Sequence, residues 1–537
     1  MKLKIFAISV LSSTILFNAG CSRSALDEVP LDKLSPENAF NSPASFAAAI
    51  AGLHTVSQQE LTSEDSPVRD QLVVGTDQAL RGQGPIDKSL YDYTLLNSSS
   101  FIPLYYWNRM YTGYLPKANL IIQKAEEKAS LFPTEAAKNA VIAEARFFRA
   151  YAHYYLANLF GPVPIVKEYY IKPKVDFVRT PVPEVLAAVR EDLQFASNWL
   201  PPTATLKGRI VKAAADHLLT AVYLQLDQLD SAIASSSRVI NDPRYALMKQ
   251  RFGSQKDKPG DVYSDLFKLG NQNLAANTET IWAVQYENLT VGGGSDYGAR
   301  GNHLVRCWGP AYFNQLGEDG KPAMLLIDSM GRGVGWNSPT NYVKYDIWTK
   351  PDMRNSAFNI RREFINNNPA SATYQQPVKY VAGARNPVDT MLNIFPTWKK
   401  IEGIYEAGLN TGRTFTDFYK MRLAETFLLR AEAYMKKGET GLAADDINAV
   451  RGRANAELVQ PGEVTMDYIL DERARELYIE EPRRITLNRV GKLYERTKKY
   501  NEQTGPAMTV DNVLWPIPLN NIQLNSGAPF PQNKGYN

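Results

Sequence analysis

The stretch TEAAKNAVIAEARFFRAYAHYYLANLFGP, from Thr134 to Pro162, decides the fold because it is the clearest helix in the chain. Six of its residues alternate steps of four and three positions, which places them on one helical face. They are Val141, Ala145, Phe148, Ala152, Tyr155 and Leu159. Phe147, Tyr151 and Tyr154 form a flanking stripe, and Gly161 with Pro162 provides a stop signal. The pattern therefore predicts a helix that is buried on a wide face between neighbours.

Two later segments repeat one spacing of small and aromatic residues. Offsets of 3, 9 and 7 join Thr220, Tyr223, Ala232 and Val239, and the same offsets join Ala431, Tyr434, Ala443 and Val450. This spacing is typical of tetratricopeptide (TPR) helical hairpins, in which small residues let paired helices approach closely. Since a stable stack needs about three repeats, helices within Ala118–Leu159 and Pro181–Tyr223 should supply the remaining pairs.

The prediction is a mostly α fold, in which a scaffold of TPR-like hairpins carries a loop-rich, partly β ligand-binding region. The helices are expected at about 108–241 and 418–455 of a single unit over 35–537, closed by a segment at about 465–537. Helical patterning begins at Ser35-Pro36, where Ser35 is expected to cap the first helix. Between about 253 and 416, glycines and prolines interrupt any long helical period, and Thr280–Tyr286 is predicted to be a strand.

The glycine-bearing region also holds five of the eight tryptophans: Trp282, Trp308, Trp336, Trp348 and Trp398. Disordered segments are poor in aromatic residues, so this region is expected to form ordered binding loops mounted on the helices. Across the chain, 29 Tyr and 8 Trp outnumber 21 Phe, which favours polar ligands or a large interface.

Composition and charge narrow the class of protein. The 537 residues are 44% hydrophobic and 22% charged, which indicates a large globular body. The net charge is +4, and the basic residues are scattered without forming the stripe that nucleic-acid binding needs. Nucleic acid is therefore not expected as a partner.

The first twenty residues are predicted to be a secretory signal. Lys2 and Lys4 precede an apolar run over Ile5–Phe17, which spans roughly 20 Å as a helix and falls short of a bilayer core of about 30 Å. Cys21 follows at the position of a lipoprotein cleavage site, so we expect it to be acylated and to begin a tether at 21–34. Asn18 stands where such sites usually have Leu, and the alternative is an ordinary secreted protein with a free thiol at its start.

Six blocks, in order, resemble the SusD/RagB family of outer-membrane nutrient-uptake lipoproteins of Bacteroidetes. They are Cys21–Phe40, Ala143–Val166, Gly208–Leu224, Arg422–Gly438, Asp471–Lys492 and Trp515–Tyr536. Pro482 stands where the family generally has the glycine of a Glu-Gly-x-Arg motif. The resemblance implies a lipid-anchored protein on the outer face of the outer membrane that caps a SusC-like TonB-dependent transporter. It would capture an oligosaccharide, or a peptide in some relatives, and deliver it without covalent chemistry.

Motifs for enzymatic chemistry are absent from the sequence. The four histidines, His54, His153, His217 and His303, lack metal-ligand spacing, and neither a nucleophile elbow nor a phosphate-binding loop occurs. We therefore expect no metal, no cofactor and a non-catalytic protein. A surface glycoside hydrolase on a similar scaffold remains an alternative, because paired carboxylates can come from any separation in sequence.

A charge-dense run from Asp471 to Arg489 holds five acids and five bases. It is expected to form a paired network that fastens the C-terminal helix to the scaffold. Asp471 and Arg475 are spaced as an i,i+4 pair, whereas Pro482 should break the helical relation between Glu480 and Arg484.

Sugar capture needs flat rings against the C–H faces of a pyranose and planar polar groups for its hydroxyls. Two loop regions offer both, and they supply the candidate ligand residues. These are Asp77, Arg81, Tyr91, Tyr93, Tyr297, Arg300, Asn302, Trp308, Tyr312 and Trp336. Trp107 is instead expected to be packing. A third interpretation is a structural lid for the transporter without ligand affinity of its own.

Overall fold

The computed structural model describes residues 35–36, 38–62, 72–82, 88–294, 301–378, 392–406 and 408–536. The predicted signal at 1–20, Cys21 and the tether at 21–34 lie outside these ranges. Within them the chain is mostly α-helical, as predicted, with fifteen α-helices and six short strands. None of the described helices combines the length and apolar character that crossing a membrane requires.

The N-terminal half carries most of the long helices. In chain order they are α1 (Pro43–Thr62), α2 (Phe101–Asn108), α3 (Leu115–Glu127), α4 (Glu135–Phe160), α5 (Val182–Trp199), α6 (Lys212–Gln225) and α7 (Leu229–Ile240). A π-helical stretch, Arg109–Tyr114, joins α2 to α3.

The rest of the chain alternates short helices with loops. Its helices are α8 (Val262–Leu266), α9 (Leu304–Trp308), α10 (Leu423–Lys436), α11 (Thr440–Arg453), α12 (Met466–Leu477), α13 (Arg483–Arg489), α14 (Leu493–Tyr500) and α15 (Leu519–Leu524). Six strands form three two-stranded antiparallel sheets, β1–β3, β2–β6 and β4–β5. The strands are β1 (Ala79–Arg81), β2 (Thr280–Val284), β3 (Asn337–Pro339), β4 (Ile360–Arg361), β5 (Thr397–Trp398) and β6 (Phe418–Arg422).

Helix α4 matches its prediction closely. The Thr134 hydroxyl accepts a hydrogen bond from the Ala137 amide at 3.1 Å, and Gly161 ends the helix with a φ of 74° that favours glycine. Both predicted stripes are buried apart from the half-exposed Val141. The helix packs between α3 and α5, which explains its wide apolar face.

The predicted hairpins stack into one helical layer. α6 pairs with α7 and α10 pairs with α11, and α7 packs directly against α10 although about 180 residues separate them in sequence. The small residues Ala232, Ala431 and Ala443 are fully buried where the paired helices approach. The α3–α4 and α5–α6 contacts complete the layer on the N-terminal side, as the repeat argument predicted.

The first helix begins later than its sequence signal indicated. The amides of Asn38 and Ala39 both donate to the Ser35 carbonyl, but this turn does not continue. A second Ser-Pro pair starts α1 instead, with Pro43 in its first turn and the Ser45 amide donating to the Ser42 hydroxyl at 3.4 Å. The prediction of a cap at Ser35 was therefore wrong by seven positions, because the same signature occurs twice.

A buried ion-pair network joins α12 to the rest of the protein. Glu476 accepts hydrogen bonds from Arg354, Arg422 and Arg453, which lie in the loop-rich region, at the end of β6 and at the end of α11. One turn earlier, Glu472 accepts from Arg354 at 2.7 Å. The two carboxylates and their shared arginine are fully enclosed.

A second cluster of ion pairs lies around the turn between α12 and α13. The Asp77 carboxylate forms ion pairs with Arg483, at 2.7 Å, and with Arg496, at 2.8 Å. Glu480 pairs with Arg422, at 2.6 Å, and not with Arg484, so the predicted break at Pro482 is present. The charge run thus fastens α12 and α13 to the scaffold, as expected.

One pair within this run differs from the prediction. Arg475 donates to Glu472, three residues away, at 2.8 Å. Asp471 is engaged elsewhere, because it accepts from Arg496 and from the Tyr342 hydroxyl. The i,i+4 pair between Asp471 and Arg475 is therefore absent, since buried tertiary partners outcompete a local surface pair.

Arginine neighbours keep these buried carboxyls ionised. Burial by itself raises the pKa of a carboxyl, but Arg354, Arg475 and Arg451 outweigh burial and lower the pKa of Glu472 to about 2. The pKa of Glu476 is lowered in the same way by its own arginines. Each charge is stable only as long as its partners remain in place.

We expect Glu476→Gln to lower the free energy of unfolding by about 3–5 kcal/mol, because it leaves three buried guanidinium groups short of a counter-charge. Urea denaturation measures the change. The matched control is Glu495→Gln, which removes an ion pair whose carboxylate is 60% exposed and should cost less than about 1 kcal/mol. Equal effects of the two substitutions would contradict the central role of the network.

The buried His153 predicts a loss of stability in mild acid. Burial lowers its pKa from 6.5 to about 4. Between these two pH values His153 is therefore protonated in the unfolded chain but neutral in the folded protein. The free energy of unfolding should therefore fall as the pH drops from 6.5 to 4, by up to about 3 kcal/mol from this residue. Urea titrations across this window should give a shallower slope for His153→Gln than for the parent. Parallel slopes would exclude His153 as the source.

Candidate functional site

The β1–β3 ribbon brings the two predicted ligand regions together. Arg81 pairs with Asn337 in the ribbon register, and the Gly82 amide donates to the Trp336 carbonyl at 2.7 Å. A Cβ at Gly82 would lie 1.8 Å from the Gly335 carbonyl oxygen, so only glycine allows this approach. The early loop and the glycine-bearing region are therefore neighbours, although about 250 residues separate them in sequence.

Arg81 and Tyr91 form a partly exposed pair beside the ribbon. The Arg81 guanidinium lies 4.6 Å from the centre of the Tyr91 ring, and its Nη1 donates to the Tyr91 hydroxyl at 3.2 Å. Gln503 fixes the strand beneath, because its side-chain amide accepts from the Arg81 amide at 2.8 Å and donates to the Arg81 carbonyl at 3.1 Å. The pair thus presents a ring and a donor fork from a fixed backbone.

An open cavity of about 320 Å³ is lined by Glu502, the residue that precedes Gln503. Its lining is mainly polar and includes Asn341, Asp346, Lys498, Tyr500 and Glu502. The Tyr500 ring is held in place, since it stacks on the buried Tyr342 ring at 4.3 Å and lies 4.9 Å from the Arg496 guanidinium. Rings and planar polar groups therefore border one open space.

Six of the predicted ligand residues lie inside the protein. Each is less than 10% exposed: Asp77, Tyr93, Asn302, Trp308, Tyr312 and Trp336. Asp77 is committed to its two arginines, and these lower its pKa against the opposing effect of burial. In these buried positions the six side chains cannot stack on a ligand.

The buried aromatic residues contact other parts of the scaffold. The Trp308 ring meets the Tyr478 ring edge-on at 5.5 Å, and the Tyr312 hydroxyl donates to the Gly331 carbonyl at 2.7 Å. The Arg306 guanidinium lies over the Trp336 ring at 5.3 Å. Trp107 is buried as expected. The predicted Tyr297 and Arg300 lie outside the described residues.

Sequence reasoning missed Gln503, Asn341 and Tyr500. Gln503 and Tyr500 lie in the C-terminal closing segment, where the only sequence signal was the preceding charge run. Asn341 lies two residues after the end of β3, and the sequence did not predict that strand. Their part in the site comes from tertiary contacts, which no local pattern encodes.

The cavity presents both acidic and basic side chains. Asp346 and Glu502 are its two acidic lining residues, and Lys498 is among the bases that border it. Within the described ranges, no three side chains of His, Cys, Asp or Glu come together as a metal site would need. Hydroxyl groups of a ligand would find donors and acceptors there.

Comparison with known proteins gives a consistent result over most of the chain. A family model described as "SusD family" matches residues 278–536, and one described as "Starch-binding associating with outer membrane" matches residues 26–224. A SusD-like protein P2 from Formosa agariphila is 26% identical over 97% of this chain and 98% of its own length. The starch-binding protein SusD from Bacteroides thetaiotaomicron is 28% identical over 73% of this chain and 72% of its own.

Solved structures share the architecture as well. A structure described as a laminarin-binding SusD-like protein superposes with a TM-score of 0.70 at 23% identity. The superposition covers 93% of this chain and all of that one. This likeness extends the agreement from sequence to the whole helical scaffold.

Proposed function

Since the chain belongs to the SusD/RagB family, we propose that it is a surface-exposed glycan-binding lipoprotein of the outer membrane. It captures an oligosaccharide and passes it to a SusC-like TonB-dependent transporter. The observation that carries the proposal is the Arg81–Tyr91 pair, a partly exposed guanidinium and ring beside the β1–β3 ribbon.

The physical basis of capture is stacking combined with hydrogen bonds. An aromatic face such as that of Tyr91 covers the C–H groups of a pyranose, and the Arg81 guanidinium supplies fixed donors to neighbouring hydroxyls. Such contacts are worth about 0.5–1.5 kcal/mol each, so affinity for a single sugar is weak and grows with chain length. That suits a protein that must release its ligand to a transporter.

Two further elements of the proposal come from the family. The acyl chain at Cys21 would hold the protein at the membrane, and the tether at 21–34 would let it reach the transporter. Names of relatives support a glycan as ligand, since one is a starch-binding protein and another is described as laminarin-binding. A peptide ligand is the alternative within the same family.

We expect Tyr91→Ala to weaken oligosaccharide binding about tenfold, because the stacking face is lost. Arg81→Ala should weaken it to a similar degree. Isothermal titration of delipidated protein against a panel of oligosaccharides and peptides provides the measurement. Trp199→Ala on α5 removes another exposed ring and serves as the control. Saturable binding of peptides alone would replace the glycan by a peptide, and no loss in either variant would place the ligand elsewhere.

Hydrolysis of the bound glycan is the second alternative, and the cavity offers one pair of acids to test it. If the protein only binds, prolonged incubation with an oligosaccharide that it captures will release no reducing ends. The variants Asp346→Asn and Glu502→Gln should then leave that baseline unchanged. Saturable release of reducing ends that falls in either variant would identify a glycoside hydrolase instead.

A further inference from the structure

A second cavity, of about 210 Å³, is lined mainly by aromatic residues. Neither Arg81 nor Tyr91 lines it, and it shares no lining residue with the polar cavity of about 320 Å³. It is enclosed by the start of α3, the segment 164–178 and the C-terminal segment 521–530. Five rings line it: Trp107, Tyr111, Tyr170, Phe177 and Phe530. Nothing in the proposed function uses this place.

The inner rings are held rigidly. Trp107 and Tyr111 flank the entry to the π-helical stretch Arg109–Tyr114, a distortion that often marks functional positions. Their ring centres are 4.7 Å apart, and the Tyr111 hydroxyl donates to the Pro164 carbonyl at 2.9 Å. The Phe530 ring meets Trp107 edge-on at 6.2 Å. The floor of the cavity is therefore fixed before any ligand arrives.

The outer wall is fastened to the C-terminal segment. The Asn525 side chain accepts from the Phe177 amide at 2.7 Å and donates to the Phe177 carbonyl at 2.9 Å. The Gly527 amide donates to the Val175 carbonyl at 2.7 Å. Fixing the loop in this way reduces the entropy that ligand binding would otherwise cost.

Two polar groups line the cavity without a protein partner. Among the described residues, the Glu168 carboxylate makes no ion pair or hydrogen bond, and the side-chain amide of Asn521 makes no hydrogen bond. Burial and then the Glu168 carboxylate raise the pKa of the Tyr170 hydroxyl, which indicates that the two side chains are near each other. Together they offer an acceptor and a planar donor–acceptor next to aromatic faces.

The volume sets the size of the occupant. A cavity of about 150 Å³ holds a benzene ring, and drug-sized sites begin at about 300 Å³. A space of about 210 Å³ therefore fits one six-membered ring with its substituents. Tyr170 is 39% exposed, so such a ring can enter from solvent.

We propose that this aromatic cavity is a second carbohydrate subsite, which takes a single neutral sugar residue against the Tyr170 ring with its hydroxyls on Glu168 and Asn521. The inference rests on the proposed glycan-binding function and adds a second point of attachment. A polysaccharide that engages both places gains affinity because the second contact is intramolecular.

A cationic ligand fits the cavity less well. The protein already supplies a cation to two of these rings, because the Lys174 ammonium lies 5.5 Å from the Phe177 ring centre and 5.9 Å from that of Tyr170. Lys174 is in turn paired with Asp176 at 2.7 Å. An ammonium ligand would therefore compete with Lys174 for these ring faces, whereas a neutral sugar would not.

The test uses laminarihexaose and maltohexaose with the full mature chain. Hydroxyl-radical footprinting reports protection at Tyr91 and at Tyr170 separately, and isothermal titration gives the affinity. The background is the double variant Arg81→Ala with Tyr91→Ala, which removes the first site. In this background, Tyr170→Ala should weaken the residual binding about fivefold and Tyr170→Phe should keep it. Ile171→Ala, on the same loop, is 82% exposed and outside the cavity, so it is the matched control.

Each outcome has a definite meaning. Protection of Tyr170 by either saccharide in the double variant, together with residual binding that Tyr170→Ala weakens and Ile171→Ala leaves unchanged, supports the second subsite. Protection of Tyr91 alone in the parent overturns the inference and leaves the proposed function intact. Protection of Tyr170 by tetramethylammonium but by neither saccharide overturns it in favour of a cation site. If the parent binds neither saccharide, this inference is rejected, and so is the proposal of a starch- or laminarin-type ligand on which it rests.

Discussion

Two buried carboxylates, Glu472 and Glu476, determine how the parts of this protein fit together. Removing a charge from water costs several kcal/mol, and only close arginines repay that cost. The arginines come from the loop-rich region, from β6 and from α11, so the carboxylates remain satisfied only when all three meet at α12. Packing alone would tolerate small shifts between helices, whereas this charge arrangement selects one relative position. The β1–β3 ribbon is held by a separate cluster of ion pairs, because Asp77 lies two residues before β1 and is paired with Arg483 and Arg496.

The helical part of the fold is readable from the sequence because its signals are local. The stripe in α4, its Thr134 cap and its Gly161 stop all lie within one helix length, and the predicted strand at Thr280–Tyr286 overlaps β2. Where one signature occurs twice, as with Ser35-Pro36 and Ser42-Pro43, the local pattern cannot choose between them. The charge run was recognised as a fastening, yet the pairing of Asp471 was predicted incorrectly because its partners lie in other elements.

The candidate site was only partly predictable, since residue type says little about which way a ring faces. Of the aromatic candidates within the described residues, Tyr91 is partly exposed, whereas Trp308 and Tyr312 are packed against the scaffold. All three are aromatic, and the difference arises from tertiary contacts, since Trp308 packs against Tyr478 and the Tyr312 hydroxyl donates to the Gly331 carbonyl. Gln503 was not predictable at all, because its role is to pair with a strand edge 422 residues earlier in the chain.

The order of the charges along the chain also bears on how the protein is made. Asp77 leaves the ribosome long before Arg483 and Arg496, the two arginines that neutralise it. Until that late segment is synthesised, the Asp77 carboxylate stays hydrated and does not fix the start of β1. In a nascent chain the ribbon beside Asp77 would thus be fixed only when synthesis is nearly finished.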